Sequence, residues 1–237
     1  MLANIGDFLF RYRNLIFPLC LPLGLLPGPN LFDQALIAAV LGFSISAIGE
    51  MVRASTIGLQ YIVRGGRDRR VYAKDLVTGG LYSHTRNPMY VGNMLILVGL
   101  SVASNSWACV AVALPFYAFV CVAIVAAEER YLRGRFGAAF DAYCRDVPRW
   151  LPHLSGIRST LVAHSFNWRR VVLKEYGTPT GWIWAWGVLV LWNLARSDGG
   201  MATQRPAVVA VAAVMTAVLA FWVFARFTKK SRRWASA

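Results

Sequence analysis

Arg86-Asn87-Pro88-Met89-Tyr90 and Glu128-Glu129 stand on either side of an almost uncharged stretch, residues 91–127. Ahead of the first cluster runs Leu76-Val77-Thr78-Gly79-Gly80-Leu81-Tyr82; after the second come Phe136-Gly137 and Val147-Pro148-Arg149. Asn87 followed by Pro88 is a helix start, because asparagine caps well and proline at the first helical position gives up an N–H that would be unpaired anyway. The polar triplet Ser104-Asn105-Ser106 breaks the apolar stretch into two helices joined by a tight turn, an antiparallel pair. The second helix therefore returns its carboxylates to the side from which the first began. Charge held beside lipid is costly and is seldom kept without a use, so the function is sought here.

Working outward, the composition agrees with a membrane setting. The 237 residues are 57% hydrophobic with a mean hydropathy of +0.48, far more apolar than a soluble domain of that size. Membrane-length apolar runs recur at 8–26, 31–52, 90–103, 107–127, 181–194 and 206–227. The expected fold is all-α, a polytopic bundle of about six spans forming one membrane domain over 1–237. The fifth run covers only ~21 Å against a hydrocarbon core of ~30 Å, and its Trp182, Trp184, Trp186 and Trp192 suit an interfacial belt. Pro18, Pro22, Pro27 and Pro29 would kink or end the first. No small-residue cleavage site follows that first run, so it is expected to be retained.

Charge placement orients the spans. With six crossings and the amino terminus inside, all the Lys and Arg residues except Arg196 and Arg205 fall on the cytoplasmic side. That asymmetry is the positive-inside pattern, and it places both termini in the cytoplasm, at the inner membrane if the source is bacterial. The net charge of +14 is thereby accounted for by span flanks and anionic headgroups. No nucleic-acid motif accompanies it, and no nucleic-acid partner is expected. Cys20, Cys109, Cys121 and Cys144 lack a C-x-x-C spacing and His84, His153 and His164 are scattered, so neither a disulfide framework nor a metal site is expected.

The geometry implied is a cytoplasmic-face site with an anion-binding half, Arg86 and the helix start, and a cation-binding half, Glu128 and Glu129. A zwitterionic amino-acid group would match it. With straight helices the carboxylates would stand ~8 Å beyond Asn87, so a tilt or an inward fold of Tyr82 and its loop is needed. The competing reading is a solvated helix end in which Glu128 and Glu129 pair with Arg86, Arg130 or Arg133.

The three elements resemble the isoprenylcysteine carboxyl methyltransferase family and its relatives, the phospholipid methyltransferases, over residues 74–152. The resemblance lies in the Leu-Val-x-x-Gly-x-Tyr lead-in, the Arg-x-Pro-x-Tyr element, and the Glu-Glu pair followed by Phe136-Gly137, Tyr143 and Val147-Pro148. It implies an integral membrane methyltransferase that binds S-adenosylmethionine and passes its methyl to a lipophilic or small acceptor arriving from the bilayer. Carried across position by position, Leu76, Val77, Gly80, Leu81, Tyr82, Arg86, Asn87, Tyr90, Glu128 and Glu129 would hold the cofactor. Arg86, Tyr90 and Glu128 would align the reacting groups, and Arg145 and Arg149 are candidates for the acceptor. Sterol-type NADPH-dependent reductases resemble the same carboxyl-terminal module and are the alternative, against which the Glu-Glu pair speaks. The chain departs from the pattern twice. Asn87 replaces a histidine and cannot ionise, and Asp146 stands where carboxylate-methylating relatives carry arginine.

Outside that region less is legible. Arg64-Gly65-Gly66-Arg67 reads as a turn in a basic interfacial segment, 151–180 as an amphipathic surface helix, and 181–227 as additional carboxyl-terminal membrane helices.

Overall fold

The structure, a computed structural model, describes residues 1–26, 28–60, 71–197 and 200–230. Its helices are α1 (Leu2–Ile16), α2 (Ala35–Leu59), α3 (Pro88–Ala103), α4 (Trp107–Phe136), α5 (Ala138–Asp146), α6 (Ile157–Ala163), α7 (Trp168–Glu175), α8 (Gly177–Arg196), α9 (Gly200–Thr203) and α10 (Arg205–Lys230), with 3₁₀ helices at Pro18–Leu25 and Gly80–Ser83. No strand occurs among the described residues; Asn30 and Ser106 form an isolated bridge. The fold is an all-α membrane bundle. The turn expected at Arg64-Gly65-Gly66-Arg67 lies outside the described residues.

Among the described residues three helices are long and apolar enough to cross a membrane, α2, α4 and α10, and α3 is a shorter apolar helix. The two other expected spans come out differently. The run 8–26 is not one helix: α1 ends at Ile16, and Pro18 and Pro22 turn the chain into a 3₁₀ helix because neither can donate a backbone N–H. The run at 181–194 is part of a longer helix, α8, of 20 residues. The surface helix expected over 151–180 is interrupted, since Phe166 lays its ring against Gly58 and the Asn167 N–H donates to the Gly58 carbonyl at 3.0 Å.

The chain divides into two compact units, and the division falls within α2, α3 and α4. The first comprises Met1–Cys20, Met51–Met94 and Pro115–Asn167. Phe10 and Ile16 of α1 pack there with Val120 and Ile124 of α4, and Tyr90 borders the cluster. Close approach is possible because Gly6 has no side chain to strike the Ala123 carbonyl.

The second unit comprises Leu21–Glu50, Leu95–Leu114 and Trp168–Ala237. Its core gathers Ala39, Ile96, Ala103, Trp182, Trp186, Val190, Leu194, Val211 and Met215. Phe43 meets both Trp182 and Trp186, with ring centroids 5.3 and 5.0 Å apart. The Trp186 indole donates to the Ala39 carbonyl at 2.9 Å and that of Trp182 to Glu50 at 3.1 Å. The expected tryptophan belt is thus divided by helical periodicity: Trp182 and Trp186 share an inward face, while Trp184 and Trp192 are exposed. Gly42 and Gly99 bring α2 and α3 together, for a Cβ at Gly42 would stand 2.5 Å from the Gly99 carbonyl and 2.6 Å from the Ala103 Cβ. The Ser104–Ser106 turn is buried, and Asn105, at φ 52°, exchanges two hydrogen bonds with the backbone of Phe32, at 2.9 and 3.0 Å.

Candidate active site

The polar residues of the signature region lie together in the first unit. Glu128 and Glu129 occupy adjacent positions on α4, seven residues and more before its end, so they point ~100° apart. Glu128 turns toward α3, where the Tyr90 hydroxyl donates to its Oε1 at 2.7 Å. The predicted offset between the two helix ends is closed by the reach of that tyrosine. No second hydrogen bond to Glu128 is found among the described residues.

Glu129 is held by two guanidinium groups. Arg86 Nη2 lies 3.3 Å from its Oε1, Arg149 Nε donates to the same oxygen at 3.0 Å, and Arg149 Nη2 bonds Oε2. The glutamate is buried and Arg86 half-buried, whereas Arg149 is 42% exposed. The solvated-helix-end reading therefore fails for Glu129, although it does pair with Arg86. Arg130 and Arg133 instead go to Asp7 and Asp141, at 2.5 and 2.7 Å. Arg86 gives another N–H to the Cys144 carbonyl at 3.1 Å, while its buried Nε has no hydrogen-bond partner among the described residues. A buried donor left unmet is uncommon and calls for a partner.

Asn87 does more than cap. Its carbonyl accepts the N–H groups of Tyr90 and Val91, at 3.0 Å each, but its side-chain amide donates to the Arg149 carbonyl at 3.0 Å. The amide thus ties the start of α3 to the segment after α5. More bonds do the same: Arg86 N–H to Pro148 O at 2.9 Å, Thr85 Oγ1 to Trp150 O at 3.0 Å, and His153 N–H to His84 O at 3.1 Å. Tyr143 donates its hydroxyl to the Tyr82 carbonyl at 2.6 Å. Burial pushes that hydroxyl above its ordinary pKa, so it stays a neutral donor.

The other expected residues are placed as follows. Gly80, at φ 60°, with Leu81 and Tyr82 forms a buried 3₁₀ turn leading into the site. Leu76 and Val77 are half-buried in the extended stretch before it. Of the two candidate acceptor cations, Arg149 is drawn in by Glu129, whereas Arg145 is exposed beside Asp146 at the end of α5. Thr85 and His84 were not among the expected residues, although both sit next to the motif. Nor was the hydrogen bond from Arg53 Nη1 to Asn93 Oδ1, one turn along α3 from Tyr90; a cation and an amide within apolar helices were the available signal.

Residues 34–139 match the phospholipid methyltransferase family, and the resemblance drawn from the motifs to this group of membrane methyltransferases holds. Two relatives carry metal-resistance names. The nickel-cobalt-cadmium resistance protein NccN of Alcaligenes xylosoxydans xylosoxydans is 27% identical over 81% of this chain and 86% of its own. The cobalt-zinc-cadmium resistance protein CzcN of Cupriavidus metallidurans is 33% identical over 57% of this chain and 58% of its own. Among the described residues no group of three or more His, Cys, Asp or Glu side chains is gathered as a metal site. No solved structure matches the chain.

Proposed function

We propose that the protein is an integral membrane methyltransferase that uses S-adenosylmethionine and acts on a lipophilic or small acceptor. The observation that carries this reading is the pairing of Glu128 and Glu129 with Tyr90, Arg86 and Arg149 inside a chain matched to the phospholipid methyltransferase family. The residues fit an amino-acid group. Glu128 offers a carboxylate to an ammonium, and the unmet Arg86 Nε offers a donor to a carboxylate, while Glu129 holds Arg86 in place. Leu76, Val77 and the Gly80–Tyr82 turn are assigned to the remainder of the cofactor, beside Asn87.

When bound, S-adenosylmethionine would supply an electrophilic sulfonium methyl, taken in line by the acceptor as the methyl–sulfur bond breaks and S-adenosylhomocysteine leaves. The chain's own work is then to align, to exclude water and to handle protons. Tyr90 fixes the Glu128 carboxylate, leaving Oε2 as the atom to receive a proton from an amine acceptor. A thiolate or carboxylate acceptor would need no such base. Both termini and the 130–174 segment are assigned to the cytoplasm on the distribution of Lys and Arg.

Calorimetry on the detergent-purified protein tests the reading. Titration with S-adenosylhomocysteine is expected to give saturable binding, and NADPH none. Binding of NADPH alone would overturn the assignment in favour of a reductase.

A further inference from the structure

The stretch between α5 and α7 carries large apolar side chains that nothing in the fold covers. Leu151 is 84% exposed, Leu154 70%, Leu161 46% and Val162 81%. Arg158, Leu161 and Val162 share one edge of α6, and Leu154 lies in the segment just before that helix. α6 has no buried residue of its own. Its opposite edge is anchored, because Thr160 Oγ1 bonds His84 Nε2 at 2.9 Å and the Thr160 carbonyl bonds His164 Nδ1 at 3.0 Å. The apolar edge is thus held outward by bonds that fix the helix.

Charge selects what covers it. Between 147 and 167, within the first unit, the charged residues are Arg149, which Glu129 engages, and the exposed Arg158, without one Asp or Glu. Apolar side chains interleaved with cations suit the boundary between acyl chains and anionic headgroups. A protein surface complementary to this one would have to be both apolar and acidic, whereas lipid is already at hand because the chain itself crosses the membrane.

We infer that the edge formed by Leu151, Leu154, Leu161 and Val162, with Arg158, docks into an anionic lipid interface. The inference does not rest on the proposed function. Its consequence reaches the site, for His84 also bonds the His153 carbonyl at 2.7 Å and directly follows the 3₁₀ turn Gly80–Ser83. Seating α6 on lipid steadies that turn.

The full chain in nanodiscs tests this, with an environment-sensitive label on Leu154→Cys or Val162→Cys and the parent protein as background. Nanodiscs of phosphatidylcholine are compared with others containing phosphatidylglycerol. Quenching by a lipid-borne shallow nitroxide is expected at both positions, stronger with phosphatidylglycerol, with little quenching by aqueous iodide. Arg158→Glu should remove the phosphatidylglycerol-dependent part. Efficient iodide quenching without lipid quenching would overturn the inference. Protection from both quenchers would overturn it too, indicating a protein occupant such as a second copy.

Discussion

Glu129 accepts from both Arg86 and Arg149, whereas Glu128 accepts, among the described residues, from Tyr90 alone, and their substitutions should separate accordingly. Glu128→Gln keeps an acceptor for the Tyr90 hydroxyl, so the protein should fold and insert normally. Loss of a charge-assisted hydrogen bond costs ~1.5–3 kcal/mol, roughly ten- to a hundredfold in affinity, which calorimetry with S-adenosylhomocysteine would register. Glu129→Gln removes the charge facing the half-buried Arg86 guanidinium as well, and is expected to lower both affinity and Tm. Unchanged affinity in both variants would remove the carboxylates from the cofactor site. A farnesyl-cysteine analogue is expected to be methylated poorly compared with an amino-lipid, in side-by-side transfer assays. Asp146 repels an acceptor carboxylate, and Arg149 is already engaged by Glu129. Efficient turnover of the farnesyl-cysteine analogue would refute that preference. Sequence spacing was enough to bring Arg86, Tyr90 and the two glutamates to one face, since a tight turn forces the helix ends together. It could not assign Arg149 to Glu129, because that contact depends on how the chain folds back after α5.

At the scale of elements, small residues decide how α2 meets α3. Gly42 and Ser46 on one helix, and Gly99 and Ala103 on the other, are each four apart. A Cβ at Gly99 would collide with the Gly42 carbonyl and with Ser46 Oγ, which itself donates to the Ile96 carbonyl at 3.2 Å. Small-x-x-x-small patterns of this kind let membrane helices approach closely. Gly99→Val is expected to lower the detergent-state Tm by several degrees, because overpacking costs ~1–3 kcal/mol; an unaltered Tm would mean that the contact does not hold the pair. The pattern was present in the sequence, but it names no partner helix until the fold supplies one. The first expected span ends where its prolines were expected to kink or end it, since backbone chemistry at Pro18 and Pro22 breaks the run that hydropathy alone reads as continuous. Trp182 and Trp186 were legible as helical but not as core, since indoles suit both a belt and an interior.

For the molecule as a whole, the distribution of Lys and Arg makes a topological prediction. A cysteine at Ser155 should resist an impermeant thiol reagent applied to intact cells and react once they are opened, and labelling from outside would reverse the assigned orientation. Sidedness is an expectation resting on counted charges, whereas the division into two units arises inside single helices, where composition does not change. One further consequence follows from the buried turn at Asn105. The helix before it, α3, has 16 residues, or ~24 Å, while α4 after it has 30, or ~45 Å, and the hydrocarbon core is ~30 Å thick. Asn105 closes its amide on Phe32, so the turn can sit beneath the headgroups without exposing unpaired peptide groups to acyl chains. Hydrophobic mismatch then becomes a property of this fold. Lipids with shorter tails match α3 better, and turnover in reconstituted vesicles is expected to fall as the acyl chains are lengthened.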